Sequence, residues 1–90
     1  MAIQLNLTDD RGDYSAYARI TSQTSDNNGI KTVITYQVSI WASQLAYESG
    51  KPSIDSDRYS VQLADLNSAD FTGLYVHLHG QEKYRSGVFV

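Results

Sequence analysis

Few residues in this chain have the types and spacing for chemistry. His77 and His79 stand two positions apart. On a strand such a pair shares a face, and on a helix it points to nearly opposite sides. Two imidazoles with no Cys or carboxylate beside them make a thin metal site, so both are read as solvent-facing. Asp9, Asp10 and Asp13 form one acidic group, and Asp55 and Asp57 another. A calcium loop needs oxygen ligands at alternate positions, usually closed by a bidentate Glu. Asp9 has no such series, and no Glu follows Asp55 and Asp57 within a loop's length. Both groups read as surface charge. No serine lies in a nucleophile-elbow context, and no glycine-rich phosphate loop is present. The sequence assigns no catalytic, cofactor or metal residue and no small-molecule substrate, and the chain is not read as an enzyme.

Arg11-Gly12-Asp13 is the sharpest motif by name, because integrin-binding proteins display that tripeptide on a loop. The same residues are ordinary turn chemistry. Gly permits unusual dihedrals, and Asp bonds its local backbone. The stretch "TDDRGDYS" is therefore read as the link between two strands, with Gly12 supplying the bend.

At 90 residues the chain reads as a single domain, residues 1–90. A domain this small leaves much apolar surface uncovered and often needs a staple or a partner. There is no cysteine, which removes disulfides and thiolate metal sites and leaves a partner chain as the natural support. The net charge is −3 and the seven Lys and Arg are scattered singly, so no nucleic-acid face is expected. "MAIQLNLTDD" lacks a basic segment followed by an apolar run and is not read as a signal peptide. No apolar stretch approaches the roughly 20 residues of a spanning helix, so no membrane is expected. Asn6-Leu7-Thr8 matches a glycosylation sequon and is read as incidental.

The elements follow from periodicity. Ile3, Leu5 and Leu7 alternate with Gln4 and Asn6, which gives a short strand. Alternation returns from Tyr14 to Gln23, with Ala16, Ala18 and Ile20 on one side and Tyr17, Arg19 and Thr21 on the other. Asn28-Gly29 then marks a hairpin. "KTVITYQVSIWA" is the strongest strand, with Ile34, Tyr36, Val38 and Ile40 facing one way. Trp41 falls on its polar face. It either covers a neighbouring loop, the favoured reading, or meets a partner. Ser43 caps one or two helical turns that bury Leu45 or Ala46, and Gly50 and Pro52 end them. "RYSVQL" resumes as a strand with Tyr59, Val61 and Leu63 inward.

Residues 71–79 are ambiguous. As a helix, Asn67 or Ser68 caps the start and Asp70 sits in the first turn. Phe71, Leu74, Tyr75 and Leu78 then share one face. As a strand, Leu74, Val76 and Leu78 alternate with Tyr75, His77 and His79. The helix is preferred, because start and stop signals are both present. "SGVFV" closes as an extended tail or edge strand. The expected fold is α+β: an antiparallel sheet of about four strands, a short helical turn after the third, and a C-terminal helix packed on one face.

From about Thr32 onward the sequence resembles a group of small virion-associated proteins of tailed bacteriophages. The resemblance rests on Trp41 and Ser43, Ala46, Gly50-Lys51-Pro52, Val61-Gln62-Leu63, Leu66-Asn67 and the closing "SGVFV". The tail has Val88-Phe89-Val90 where the pattern has an acidic residue near the end. The resemblance implies a structural or assembly protein of the tail or baseplate region. Such a protein is assembled in the host cytoplasm, is present in several copies and contacts other virion proteins or itself. It carries over no catalytic residue. The candidate contact residues are Trp41, Tyr47, Tyr84, Val88, Phe89 and Val90. The competing expectation is a small soluble phage or bacterial regulator that inhibits a host protein by surface binding.

Overall fold

The computed structural model describes residues 2–10, 12–27, 29–66 and 71–90. It is an α+β fold with a five-stranded antiparallel sheet and two helices. The strands are β1 (Ile3–Asp9), β2 (Gly12–Asn27), β3 (Thr32–Trp41), β4 (Asp55–Gln62) and β5 (Val88–Phe89), in spatial order β4-β3-β2-β1-β5. Helix α1 spans Gln44–Glu48 and α2 spans Phe71–His79. Short 3₁₀ turns occupy Leu63–Asp65 and Glu82–Tyr84.

The fifth strand exceeds the expected count of about four. Val88 and Phe89 pair with Gln4 and Ile3, and Ala2 and Val90 exchange two backbone hydrogen bonds of 3.1 and 2.9 Å. Gly87 makes this docking possible, because a Cβ there would run into the Ile3 side chain.

Strand β2 is longer than its apolar alternation suggested. Its first half pairs with β1 from Gly12 to Ala18, and its second with β3 from Tyr17 to Asn27. The two pairings overlap only at Tyr17 and Ala18. The sheet is therefore staggered, and the molecule extends 47 Å along its long axis against 25 and 22 Å across. A bulge at Thr21 shifts the register between Ile20 and Ser22. An extra residue there bends the strand and sharpens its twist.

One face of the sheet carries the core. Ile3, Leu5, Ala16, Ala18, Ile20, Ile34, Tyr36, Val38 and Ile40 are buried there, and Leu74, Tyr75, Leu78 and Tyr84 join the same cluster. The helical reading of residues 71–79 matches the structure, but Phe71 is 47% exposed and not part of the buried set. Its expected caps, Asn67 or Ser68, and the first-turn Asp70 lie outside the described residues. Leu63, expected inward on a strand, sits after β4 ends, in a 3₁₀ turn, and is turned outward. Ser43 does cap α1, its Oγ accepting from the Ala46 N–H at 3.0 Å. The helix buries neither Leu45, which is 70% exposed, nor Ala46, which is half-buried. Tyr47 packs instead.

The β1–β2 connection is tight. Asp9 pairs with Gly12, and Arg11 lies outside the described residues. Gly12 has φ +104° with nothing within 4 Å of a Cβ built on it. Any penalty for a side chain there is conformational and not steric. Thr8 Oγ1 donates to Asp13 Oδ1 at 2.5 Å across the same hairpin. Gly12→Val is expected to lower stability by about 1–3 kcal/mol. Asp13→Glu, at an exposed position, is expected to stay within about 0.5 kcal/mol of the parent. Urea titration of the two variants checks this, and equal midpoints would remove the role given to Gly12.

Candidate functional site: open sheet edges

The polar groups expected to face solvent are mostly engaged inside the fold. His77 Nδ1 lies 2.6 Å from the Tyr36 hydroxyl, and the two rings meet edge to face at 5.8 Å. His79 Nε2 donates to the Gly87 carbonyl at 2.9 Å, and its ring lies 4.9 Å from Phe89. Both histidines are half-buried, which corrects the solvent-facing reading. They are committed to different partners, and no group of three metal-ligating side chains occurs among the described residues.

Asp57 is likewise not simple surface charge. Its Oδ2 accepts from the Tyr84 hydroxyl at 2.5 Å and from Lys83 Nζ at 2.9 Å, and Lys83 also lies 3.6 Å from Asp55. Burial opposes ionisation of Asp57, but the hydrogen bonds from Lys83 and Tyr84 and the Lys83 charge hold its pKa below the ordinary 3.8. Burial, reinforced by the bond to Asp57, pushes the Tyr84 phenol far up. Tyr84 is 0% exposed. That removes it from the candidate contact residues, because its ring fills the core and its hydroxyl ties the C-terminal segment to β4.

Trp41 and Tyr47 belong to an aromatic group on the other face of the sheet. Tyr17 and Trp41 stand opposite each other on β2 and β3. Tyr47 on α1 lies 5.2 Å from the Tyr17 ring and 4.9 Å from Trp41, edge to face with the indole. The Arg19 guanidinium sits 4.7 Å from the centre of the Tyr47 ring, a cation–π distance. Trp41 Nε1 donates to the Lys51 carbonyl at 2.9 Å, so the indole covers the loop that follows α1. Val88, Phe89 and Val90 remain 65%, 41% and 49% exposed although their backbone pairs with the β1 end.

Besides the shorter bare flanks of β1 from Leu5 to Asp9 and of β2 before Tyr17, two longer stretches of strand have no strand beside them among the described residues. Strand β4 pairs only with β3, which leaves its outer edge open from Asp55 to Gln62. Strand β2 loses its β1 neighbour after Ala18. Tyr75 meets the first freed group, its hydroxyl accepting from the Ile20 N–H at 2.9 Å. From Thr21 to Asn27 every side chain is exposed. These residues are Thr, Ser, Gln, Thr, Ser, Asp and Asn, which carry no apolar periodicity, so the strand expected to end at Gln23 runs on to Asn27 unmarked. The signal available was the hairpin at Gly29, whose two strands must match in length. Such edges offer unpaired N–H and C=O groups to another chain.

The charges on these edges are sparse. Asp55 and Asp57 are matched by Lys83. Arg58 on β4 and Asp26 on β2 are both exposed, lie on the polar face by register, and have no ion-pair partner among the described residues. Among the described residues, no helix is long and apolar enough to cross a membrane. The chain matches no family model, no curated protein and no solved structure.

Burial lowers the pKa of His77 below the ordinary 6.5, and the Asp65 charge only partly offsets it. Its folded form prefers the neutral imidazole, so stability falls as pH drops through 6.5 towards the folded value. The depressed Asp57 adds stability above 3.8 that is lost as pH falls below it. Urea unfolding between neutral and acid pH is therefore expected to show two declines. His77→Gln should flatten the upper one and Asp57→Asn should shrink the lower. An unchanged profile in both variants would contradict these assignments.

Proposed function

We propose that this chain is a structural component of a bacteriophage particle, present in several copies in the tail or baseplate region and working through protein–protein contacts. The observation that carries the reading is the staggered sheet with its open polar edges. Strand β2 holds two hairpins end to end, and among the described residues the outer edge of β4 and the β2 arm beyond Ala18 have no strand beside them. With α2 laid on one face of the sheet and α1 over the other, the edges are where a neighbour can add backbone hydrogen bonds. The resemblance over Trp41 to Asn67 and the closing "SGVFV" points to the same class. A domain of 90 residues without cysteine gains stability by docking in an assembly.

Partners in this reading are other virion proteins and further copies of the chain. Leu45, Val88, Phe89 and Val90 are exposed apolar side chains that a neighbour would cover. The reading assigns no catalysis, cofactor or nucleic-acid contact. Quantitative mass spectrometry of purified particles tests it. The expected result is this chain at several copies per particle. Its absence from intact particles, with the chain found free in the lysate, would overturn the proposal.

A further inference from the structure

We infer that copies of this chain join head to tail, the outer edge of β4 on one copy pairing antiparallel with the flank of β1 that β5 leaves bare on the next. The inference rests on the multi-copy reading above and names the surfaces that serve it. On β1 the outward backbone groups belong to the even-numbered residues, because Ala2 and Val90 exchange their amides and carbonyls. Strand β5 occupies Ile3 and Gln4, which leaves the outward groups of Asn6 and Thr8 with no strand beside them. On β4 the Ser56 N–H turns outward, to Asp55 Oδ1 at 2.8 Å, so the outward residues beyond it are Arg58, Ser60 and Gln62.

Faces and charges both select this partner. Opposed residues of an antiparallel pair share a face of the sheet. Asn6 and Thr8 lie on the polar face, since Ile3 and Leu5 of the same strand face the core. Arg58, Ser60 and Gln62 lie on the polar face too, since Val61 faces the core. Pairing these outward groups therefore continues one sheet with core beside core. The β2 arm fails that condition, because the outward amide of Ile20 belongs to a core-face residue. Arg58 is an exposed cation, and the β1 flank leads into a hairpin where Asp10 and Asp13 are exposed. Two β4 edges paired with each other would also keep like faces together. They would bring Arg58 no acid, because Asp55 and Asp57 are matched by Lys83 and stand on the other face.

Strand β5 sets the register. With Ser60 opposite Thr8, Val61 stands opposite Leu7 on the core side, Gln62 stands opposite Asn6, and Arg58 lies beside Asp10. A shift of two residues one way would put Gln62 on Gln4, where Val88 already pairs. The same shift the other way keeps Gln62 opposite Thr8 as the one bonded pair. Past Gln62, Leu63 is carried to a hollow lined by Gln4, Leu5, Asn6, Ser86 and Val88. Leu63 and Val88 are 38% and 65% exposed in the single chain, and this contact would cover both. Because the two edges are different surfaces, the contact is heterologous and repeats from copy to copy, closing into a ring or continuing as a filament.

The chain has no cysteine, which makes the register directly testable. Asn6 and Gln62 are both exposed. Residues opposed in a bonded antiparallel pair have Cα atoms about 5.5 Å apart, within reach of a disulfide. Asn6→Cys chains are mixed with equal amounts of Gln62→Cys chains in a glutathione redox buffer, and the disulfide-linked products are separated by mass. The mixed dimer is expected to dominate both same-variant dimers. Products in the random ratio would overturn the inference, as would Ser60→Cys chains that link efficiently to one another, the mark of β4 paired with β4. Charge exchange supplies a second readout by sedimentation. Arg58→Asp and Asp10→Arg are each expected to weaken self-association roughly tenfold, and the double variant to recover it. Parent chains that stay monomeric at every concentration, or a double variant no better than the singles, would overturn it too. Its failure is separable from that of the virion reading. A chain found in particles but not cross-linked defeats this contact alone, and a cross-linked chain absent from particles defeats the virion reading alone.

Discussion

The structure depends on one constraint: β2 serves two neighbours in succession along sixteen residues. An antiparallel strand satisfies its backbone groups on both sides only where both neighbours are present. Here that condition holds around Tyr17 and Ala18, where β1 and β3 overlap. On either side of that overlap one flank of β2 is bare, and the fold handles the two stretches differently. Near Tyr17, α1 brings Tyr47 against the sheet and the loop ending at Lys51 receives the indole N–H. Near Ile20, Tyr75 accepts the first unpaired amide. Beyond the Thr21 bulge the arm is left to solvent.

Side-chain polarity follows from that layout. The core face is apolar where α2 and the Glu82–Tyr84 turn cover it. Gln23 and Ser25 lie on the same side of the sheet as Tyr36 and Ile34, yet they are exposed because the arm runs past the cover. A polar arm does not collapse onto itself or aggregate through apolar contact. It still keeps the backbone donors and acceptors that a partner strand needs. The C-terminal segment is secured from several directions: Tyr84 and Lys83 on Asp57, His79 on the Gly87 carbonyl, and Ala2 against Val90. Those bonds hold β5 on its own β1, so the exposed side chains of Val88 to Val90 act as surface and not as a loose strand.

Much of the fold was legible in the sequence. Alternation in Ile3 to Leu7 and Val33 to Trp41, the Ser43 cap and the four-residue spacing of Leu74 with Leu78 each reflect burial on one side, and burial leaves a periodic trace. The free edges were not legible, because an edge is defined by the absence of a neighbour and leaves no apolar pattern. Leu63 and Phe71 misled for a related reason. Each continued a periodic run beyond the point where the element has something to pack against. Tyr84 looked like a surface aromatic because its partner, Asp57, is 27 residues away in the chain. His77 and His79 were seen as a pair, whereas the fold gives them to Tyr36 and Gly87 separately.

Docking in the particle through the open sheet edges is tested most directly by electron microscopy of the assembled particle. The expected result is a neighbouring virion chain seated along the open β4 edge or the Thr21–Asn27 arm of each copy. Adjacent copies joined through other surfaces, with both edges facing solvent, would contradict it.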